Sequence, residues 1–373
     1  MTDTPDLDAY SLKSTAAAEI AAPELPYQPP MPRTYRPRIA LVGAGGISAA
    51  HLDAYRAASF DVAVICSRTL ARAEARRNEY FPGAEATDDV ERTLTREDIE
   101  VVDLTPHPAE RLPLIEKALN SGKHVLSQKP FVLDLDAGER LCDLADSKGL
   151  VLATNQNGRW APHFSWMREV VRAGLIGDVQ SCQLNVHWDH GWIAGTPFEA
   201  IDDLVLYDFA IHWFDFLTSL IGDRATSVFA MSSRAHGQKV RPPLLAEALV
   251  AFDGGQAALV FDGAARFGPE DRTVVIGSGG TLTSRGPDLG DQQVTLATAA
   301  GLARPRLEGT WFKEGFRGTM GALLKAVEEG RPPLNSARGN LEALKLVFAA
   351  IAATRRGVPV EPGTVRSLEA ARH

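Results

Sequence analysis

The stretch Arg38-Ile39-Ala40-Leu41-Val42-Gly43-Ala44-Gly45-Gly46-Ile47-Ser48 limits what this chain can fold into more than any other. A short apolar, β-branched run stops at glycines and passes directly into an amphipathic helical pattern, which reads as strand, tight turn and helix N-terminus. Bare backbone at Gly43 and Gly45, continued by Gly46 and Ile47, lets N–H groups and the positive helix end approach a pyrophosphate. Ser48 holds the place of the third glycine in G-x-G-x-x-G and is small enough to keep helix and strand close. The same turn also exists without a ligand, so its meaning depends on what flanks it.

The flanks supply a βαβ setting. From Pro37 to Asn155, short apolar runs (Ile39–Val42, Val62–Ile65, a weak one at Ala84–Ala86, Ile99–Leu104, His124–Ser127, Leu150–Ala153) alternate with helical patterns. Six such strands with right-handed crossovers predict a Rossmann domain over 37–155. The full 373 residues exceed one ordinary core, so a second domain is expected. It begins at residue 156, where helices at about Pro162–Ala173 and Asp203–Leu220 bracket a strand at Val179–Trp188. Alternating runs at Thr226–Ser233, Leu244–Phe252, Ala257–Phe261, Thr273–Gly277 and Gln293–Thr298 predict an open, mostly antiparallel mixed sheet. Helical patterns at about Gly318–Glu329 and Ala337–Thr354 close the domain, the last apolar enough to pack back towards the Rossmann domain. Ahead of both domains, residues 1–36 carry Pro23, Pro26, Pro29, Pro30 and Pro32 and read as an extended arm. Such an arm is either disordered or laid on a neighbouring subunit through Leu25, Tyr27 and Tyr35.

Composition narrows the partners. A net charge of −8 supplies no basic field for nucleic acid, and no apolar run is long enough to span a bilayer as a helix. Cys66, Cys142 and Cys182 lack disulfide or zinc spacing, and the N-terminus has no signal-peptide pattern, so a cytoplasmic protein without a bound metal is expected.

Three further stretches carry chemistry. After the second strand, where an acid would select the ribose 2′-hydroxyl of NAD, stand Ser67 and Arg68, with Arg72 one turn on. A guanidinium suits a 2′-phosphate, so NADP is favoured over NAD. In Gly122-Lys123-His124-Val125-Leu126-Ser127-Gln128-Lys129-Pro130, Lys129 stands at the carboxyl end of a sheet strand, where such folds place their ligands, and Gln128 offers an amide to the nicotinamide side. Asp208 and His212 are four apart and would share one helix face. A histidine there is either a satisfied core residue or a base tuned by the acid one turn before it.

Together these residues resemble the Gfo/Idh/MocA oxidoreductase family over roughly residues 37–355. The resemblance rests on the glycine turn, Thr105-Pro106, Gly122–Pro130, Arg159-Trp160-Ala161-Pro162 and Asp208-x-x-x-His212 in that order. It implies a nicotinamide enzyme acting on a hydroxyl or carbonyl of a sugar, inositol or related polyol. Lys129 then matches the lysine of the family's Glu-Lys-Pro motif, and Asp208 and His212 its catalytic acid and histidine, with Asp208 orienting His212 or sharing a network with Lys129. Gln128 replaces the Glu, and Thr105-Pro106-His107-Pro108-Ala109-Glu110 departs from Thr-Pro-Asn-x-x-His at His107 and Glu110. Cofactor contacts are expected from Thr105, Pro106, His107, Glu110, Gln128, Lys129, Arg159 and Trp160. Substrate contacts are expected from Arg159, His187, His190 and Trp192 together with the Lys129, Asp208 and His212 trio. A homodimer or homotetramer is expected, because an open sheet face needs cover. Two rival functions share this fold: elimination assisted by transient oxidation with tightly held NAD, and a non-catalytic dinucleotide sensor.

Overall fold

The computed structural model describes residues 17–373; the first sixteen residues of the expected arm lie outside them. Strand β1 (Glu19–Ile20) precedes six parallel strands: β2 (Arg38–Val42), β3 (Asp61–Cys66), β4 (Glu85–Thr87), β5 (Val101–Leu104), β6 (His124–Gln128) and β7 (Leu152–Asn155). Their order, β4-β3-β2-β5-β6-β7, reverses direction at β2, and the crevice outside the strand ends there receives the glycine turn. Helices α1 (Ser48–Ala57), α2 (Leu70–Tyr80), α3 (Val90–Thr95), α4 (Pro108–Asn120) and α5 (Leu135–Ser147) make the crossovers. Because helices cover both faces, β2 reads as an unbroken apolar run, with Ile39 and Leu41 on one side and Ala40 and Val42 on the other.

The second sheet follows α6 (Pro162–Arg172). It comprises β8 (Val179–His187), then, after α7 (Ile211–Ile221), β9 (Ala225–Ser233), β10 (Leu245–Phe252), β11 (Gly255–Asp262), β12 (Glu270–Gly277), β13 (Gly280–Gly286), β14 (Gln293–Thr298) and β15 (Gly301–Ala303). The spatial order is β1-β15-β14-β13-β12-β8-β11-β10-β9, and only β8–β11 and β1–β15 pair in parallel. The chain ends with α8 (Trp311–Glu329), α9 (Ala337–Arg356) and α10 (Leu368–Ala371).

One helix packs differently from the sequence reading. Helix α8 packs on the Rossmann sheet, its Phe316, Met320, Leu323 and Leu324 sharing one core with Leu52 and Tyr55 of α1. A parallel sheet must be covered on both faces, and this helix supplies cover that the first 155 residues lack. Helix α9 lies between the layers, against α5 on one side and α7 and β9 on the other.

The described part of the arm lies on its own chain. Glu19–Ile20 extends the edge of β15, the Tyr27 carbonyl accepts from Ser165 Oγ at 2.6 Å, and the Pro30 carbonyl rests on Gly321 of α8. Glu328 then accepts the backbone N–H groups of Arg33, Thr34 and Tyr35 at 2.7, 2.6 and 2.9 Å. These bonds stabilise the carboxylate and hold its pKa down to about 2. The attachment is therefore complete above the ordinary carboxyl range and is lost as pH falls towards 2. Glu328→Gln, which removes the charge, is expected to speed proteolysis around residues 33–36 at neutral pH while cleavage elsewhere is unchanged.

Candidate active site

Gly43 sits at φ +106°, and a Cβ there would come within 2.4 Å of Thr105 Oγ1, so only glycine fits. The Thr105 hydroxyl secures the turn by donating to the Gly43 carbonyl at 2.7 Å, and Pro106 packs on the same glycine. Gly45 and Gly46 have nothing within 4 Å of where a Cβ would stand, leaving their backbone open to the crevice. Ser48, fully buried, donates to the Gly45 carbonyl at 2.6 Å and Ile47 is partly exposed, so the turn and the start of α1 form a cradle that fits a dinucleotide phosphate. Ser67 lies at the end of β3. Arg68 and Arg72 are exposed beyond it, with Arg68 3.4 Å from Glu110 across the mouth of the crevice. Sequence reasoning missed Arg76, four residues past Arg72 on the same helix stripe, although that i+4 spacing was the available signal. Its guanidinium reaches Ser48 Oγ at 3.2 Å and the Gly45 carbonyl at 3.4 Å. His107 stands just before α4 and faces Phe198, 6.5 Å between ring centres, which brings the second domain's loop against the crevice.

Lys129 follows β6 and joins the two domains. Its ammonium donates to the Asp208 carboxylate at 3.0 Å and to the Asp208 backbone carbonyl at 2.9 Å. His212 is half-buried nearby. Burial, then the positive charge of Lys129, hold its pKa well below the ordinary histidine value, so the ring is neutral at pH 7. Among the described residues Asp208 makes no hydrogen bond to His212, so of the two expected arrangements the structure has the network shared with Lys129. Residues Val205–Phe209 form a π turn ahead of α7, and the wider turn carries Asp208 off the i, i+4 stripe and onto Lys129. Trp311, not foreseen from sequence, backs His212 edge-on at 5.6 Å.

Five expected contact residues have other surroundings. Gln128 is buried, with its oxygen on the Lys129 backbone N–H and its nitrogen on His51, so it offers no free amide to a nicotinamide. The Arg159 guanidinium grips Asp215 of α7 at 2.7 and 2.9 Å and also donates to the Leu334 carbonyl, while Trp160 is fully buried beneath Gly318. Apolar packing and a buried ion pair occupy both side chains. His187 alternates with the buried Val186 on β8 and so lies on the open face of the second sheet, the side away from α6 and α7. His190 packs against Phe209 at 4.3 Å with Nδ1 unpartnered, and burial pushes its pKa down to about 4. Trp192 remains exposed, its edge against Phe198 and Phe209, and is the aromatic surface of this loop that a ligand could meet.

The comparisons with known proteins agree with this architecture. The model of the oxidoreductase family's NAD-binding Rossmann fold, Gfo/Idh/MocA, matches residues 37–156, and that of the Gfo/Idh/MocA C-terminal domain matches residues 164–283. The inositol 2-dehydrogenase of Rhizobium meliloti (strain 1021) is 25% identical over 324 residues, 84% of this chain and 96% of that protein. An uncharacterized oxidoreductase of Schizosaccharomyces pombe is 25% identical over 193 residues, and there the match spans about half of each protein, 50% of this chain and 51% of that one. An oxidoreductase from Agrobacterium radiobacter, solved with NAD+, L-tartaric acid and magnesium, superposes with a TM-score of 0.79 at 19% identity, covering 88% of this chain and 99% of that one. With both domain models matching in order on a fold whose glycine turn and Lys129 face one crevice, the chain belongs to the Gfo/Idh/MocA family of NAD(P)-dependent oxidoreductases.

Proposed function

We propose that the protein interconverts a secondary hydroxyl and a carbonyl on a sugar, inositol or related polyol, with NADP favoured over NAD. The observation that carries this reading is the Lys129–Asp208 pair beside a neutral His212, at the end of the strand next to the dinucleotide crevice. The glycine turn, Ser67 and the arginine stripe Arg68-Arg72-Arg76 would hold the dinucleotide, which supplies the acceptor or donor of hydride when bound. As hydride leaves the alcohol carbon, the hydroxyl must lose its proton, and neutral His212 can take it at a ring nitrogen. Lys129 has three ammonium protons and uses two on Asp208, which leaves one for the developing alkoxide oxygen. Asp208 fixes that ammonium, and Trp192 offers a face for the apolar side of a sugar ring. In reduction the proton runs back from His212 to the oxygen.

A panel of sugars, inositols and their keto forms, run separately with NADP and NAD and read by nicotinamide absorbance, tests this. Stoichiometric cofactor reduction is the expected result. Cofactor binding without turnover across the panel would favour the sensor reading.

The open face of the second sheet supports the homo-oligomer. Met231 and Leu249 are exposed there on β9 and β10, 66% and 58%, and among the described residues no layer of the chain covers them. Leu249→Asp is expected to shift the protein to monomer in analytical ultracentrifugation and to leave cofactor affinity unchanged.

A further inference from the structure

Beneath Lys129 runs a buried polar chain that hydride transfer itself does not use. It joins Asp103 of β5 and His51 of α1, both fully buried, with His51 Nδ1 2.7 Å from Asp103 Oδ2. The Tyr55 hydroxyl donates to the same oxygen at 2.7 Å. At the other edge of the ring, Nε2 lies 3.1 Å from Gln128 Nε2 and 3.0 Å from Asn155 Nδ2. Gln128 Oε1 in turn accepts the Lys129 backbone N–H at 2.6 Å. The Phe316 ring of α8 packs on the imidazole at 4.4 Å.

Counting donors fixes the protons. The Lys129 N–H needs an acceptor, so the oxygen of Gln128 faces it and the amide nitrogen faces His51. An amide nitrogen only donates, which makes His51 Nε2 a lone-pair acceptor and leaves the ring proton on Nδ1, donated to Asp103. Asn155 Nδ2 shares that single lone pair with Gln128, because turning its amide would set an oxygen against it. A carboxylate at position 128 would do the opposite, offering Nε2 an oxygen and calling for a second ring proton.

We propose that His51 is a positioning residue for Lys129: neutral, protonated on Nδ1 towards Asp103, and holding the Gln128 amide so that its oxygen fixes the Lys129 backbone. Its bearing on turnover rests on the reading of Lys129 as the group that meets the reacting oxygen. The far side of the same residue is secured by Arg111 of α4, which donates to the carbonyls of Pro106 at 3.0 Å, Lys129 at 3.4 Å and Pro130. Lys129 is thereby held at its N–H, its carbonyl and its ammonium. Without His51, the Gln128 nitrogen is buried with no acceptor, and the side chain gains by turning away from Lys129.

Protein labelled with 15N-histidine tests this directly, the His51 signals being those lost in His51→Leu. The wild type is expected to show Nδ1 protonated and Nε2 bare, and Gln128→Glu to add a proton at Nε2. A wild-type ring protonated on Nε2, or a Gln128→Glu spectrum identical to wild type, overturns the proposal. Amide exchange separates positioning from folding. His51→Leu should speed exchange at the Lys129 N–H by about tenfold relative to Leu126 in the same strand, the equivalent of one lost buried hydrogen bond. Equal acceleration at both amides overturns the positioning role. Neither readout needs a substrate, so an inert Lys129→Ala substitution would sink the catalytic reading and leave this result standing.

Discussion

Lys129→Ala is expected to lower kcat by about 10²–10³-fold, the loss typical of a single donor to a developing oxyanion. The cofactor's dissociation constant should change by no more than about threefold, because the glycine turn and the α2 arginines remain in place. The expectation follows from proton counting at the ammonium: two bonds to Asp208 hold it still, and the third proton has no partner among the described residues. Lys129→Arg should not restore the rate, since a planar guanidinium cannot hold both Asp208 oxygens and direct a proton at the same point. Steady-state kinetics with an active polyol, together with cofactor titration by nicotinamide fluorescence, separate the two quantities. Unaltered turnover would sink the assignment.

Arg159→Met should act on stability and leave the cofactor alone. The Arg159 guanidinium is the main partner of the Asp215 carboxylate, whose side chain is only 2% exposed and whose other neighbour is Asn340 at 3.4 Å. Removing one member of a buried pair strands the other charge, at a cost of about 3–5 kcal/mol. With an unfolding entropy of about 2.1 cal/mol/K per residue over 373 residues, each kcal/mol is worth ~1.3 °C, and the melting temperature should drop by roughly 4–6 °C. Replacing both residues, Arg159→Met with Asp215→Leu, should recover much of that loss, since no charge is then left unpaired. A collapse of cofactor affinity with the melting temperature unmoved would instead restore Arg159 to the ligand site.

The parts legible in the sequence were those set by local rules. Strand β2 and its turn were readable because buried parallel strands are continuously apolar and because the turn needs glycine at φ +106°. Lys129 was readable from its place at a strand end. What escaped depended on geometry that spacing does not carry. The π turn at Val205–Phe209 looks like α-helix in one dimension, so spacing leaves Asp208 either orienting His212 or sharing a network with Lys129, and only the wider turn decides for Lys129. His187 and Val186 are neighbours whose faces are fixed only once the sheet has an inside. Gln128 was seen as a missing acid, whereas its partners come from α1 and from its own successor. Arg159 and Trp160 lie in a motif the family shares, yet here they serve the packing between layers.

The arm has a consequence for how this chain comes to be finished. Its partners include strand β15 and helix α8, and the bonds from Thr34 to Glu328 span 294 residues. At ordinary synthesis rates of 5–20 residues per second, the arm waits roughly 15–60 s between leaving the ribosome and meeting the surface it docks on. A segment that must wait so long beside a growing Rossmann sheet does well to be poor at pairing with it. Pro23, Pro26, Pro29, Pro30 and Pro32 remove backbone donors where a competing strand would need them, so the part of the arm made early can be the last to settle.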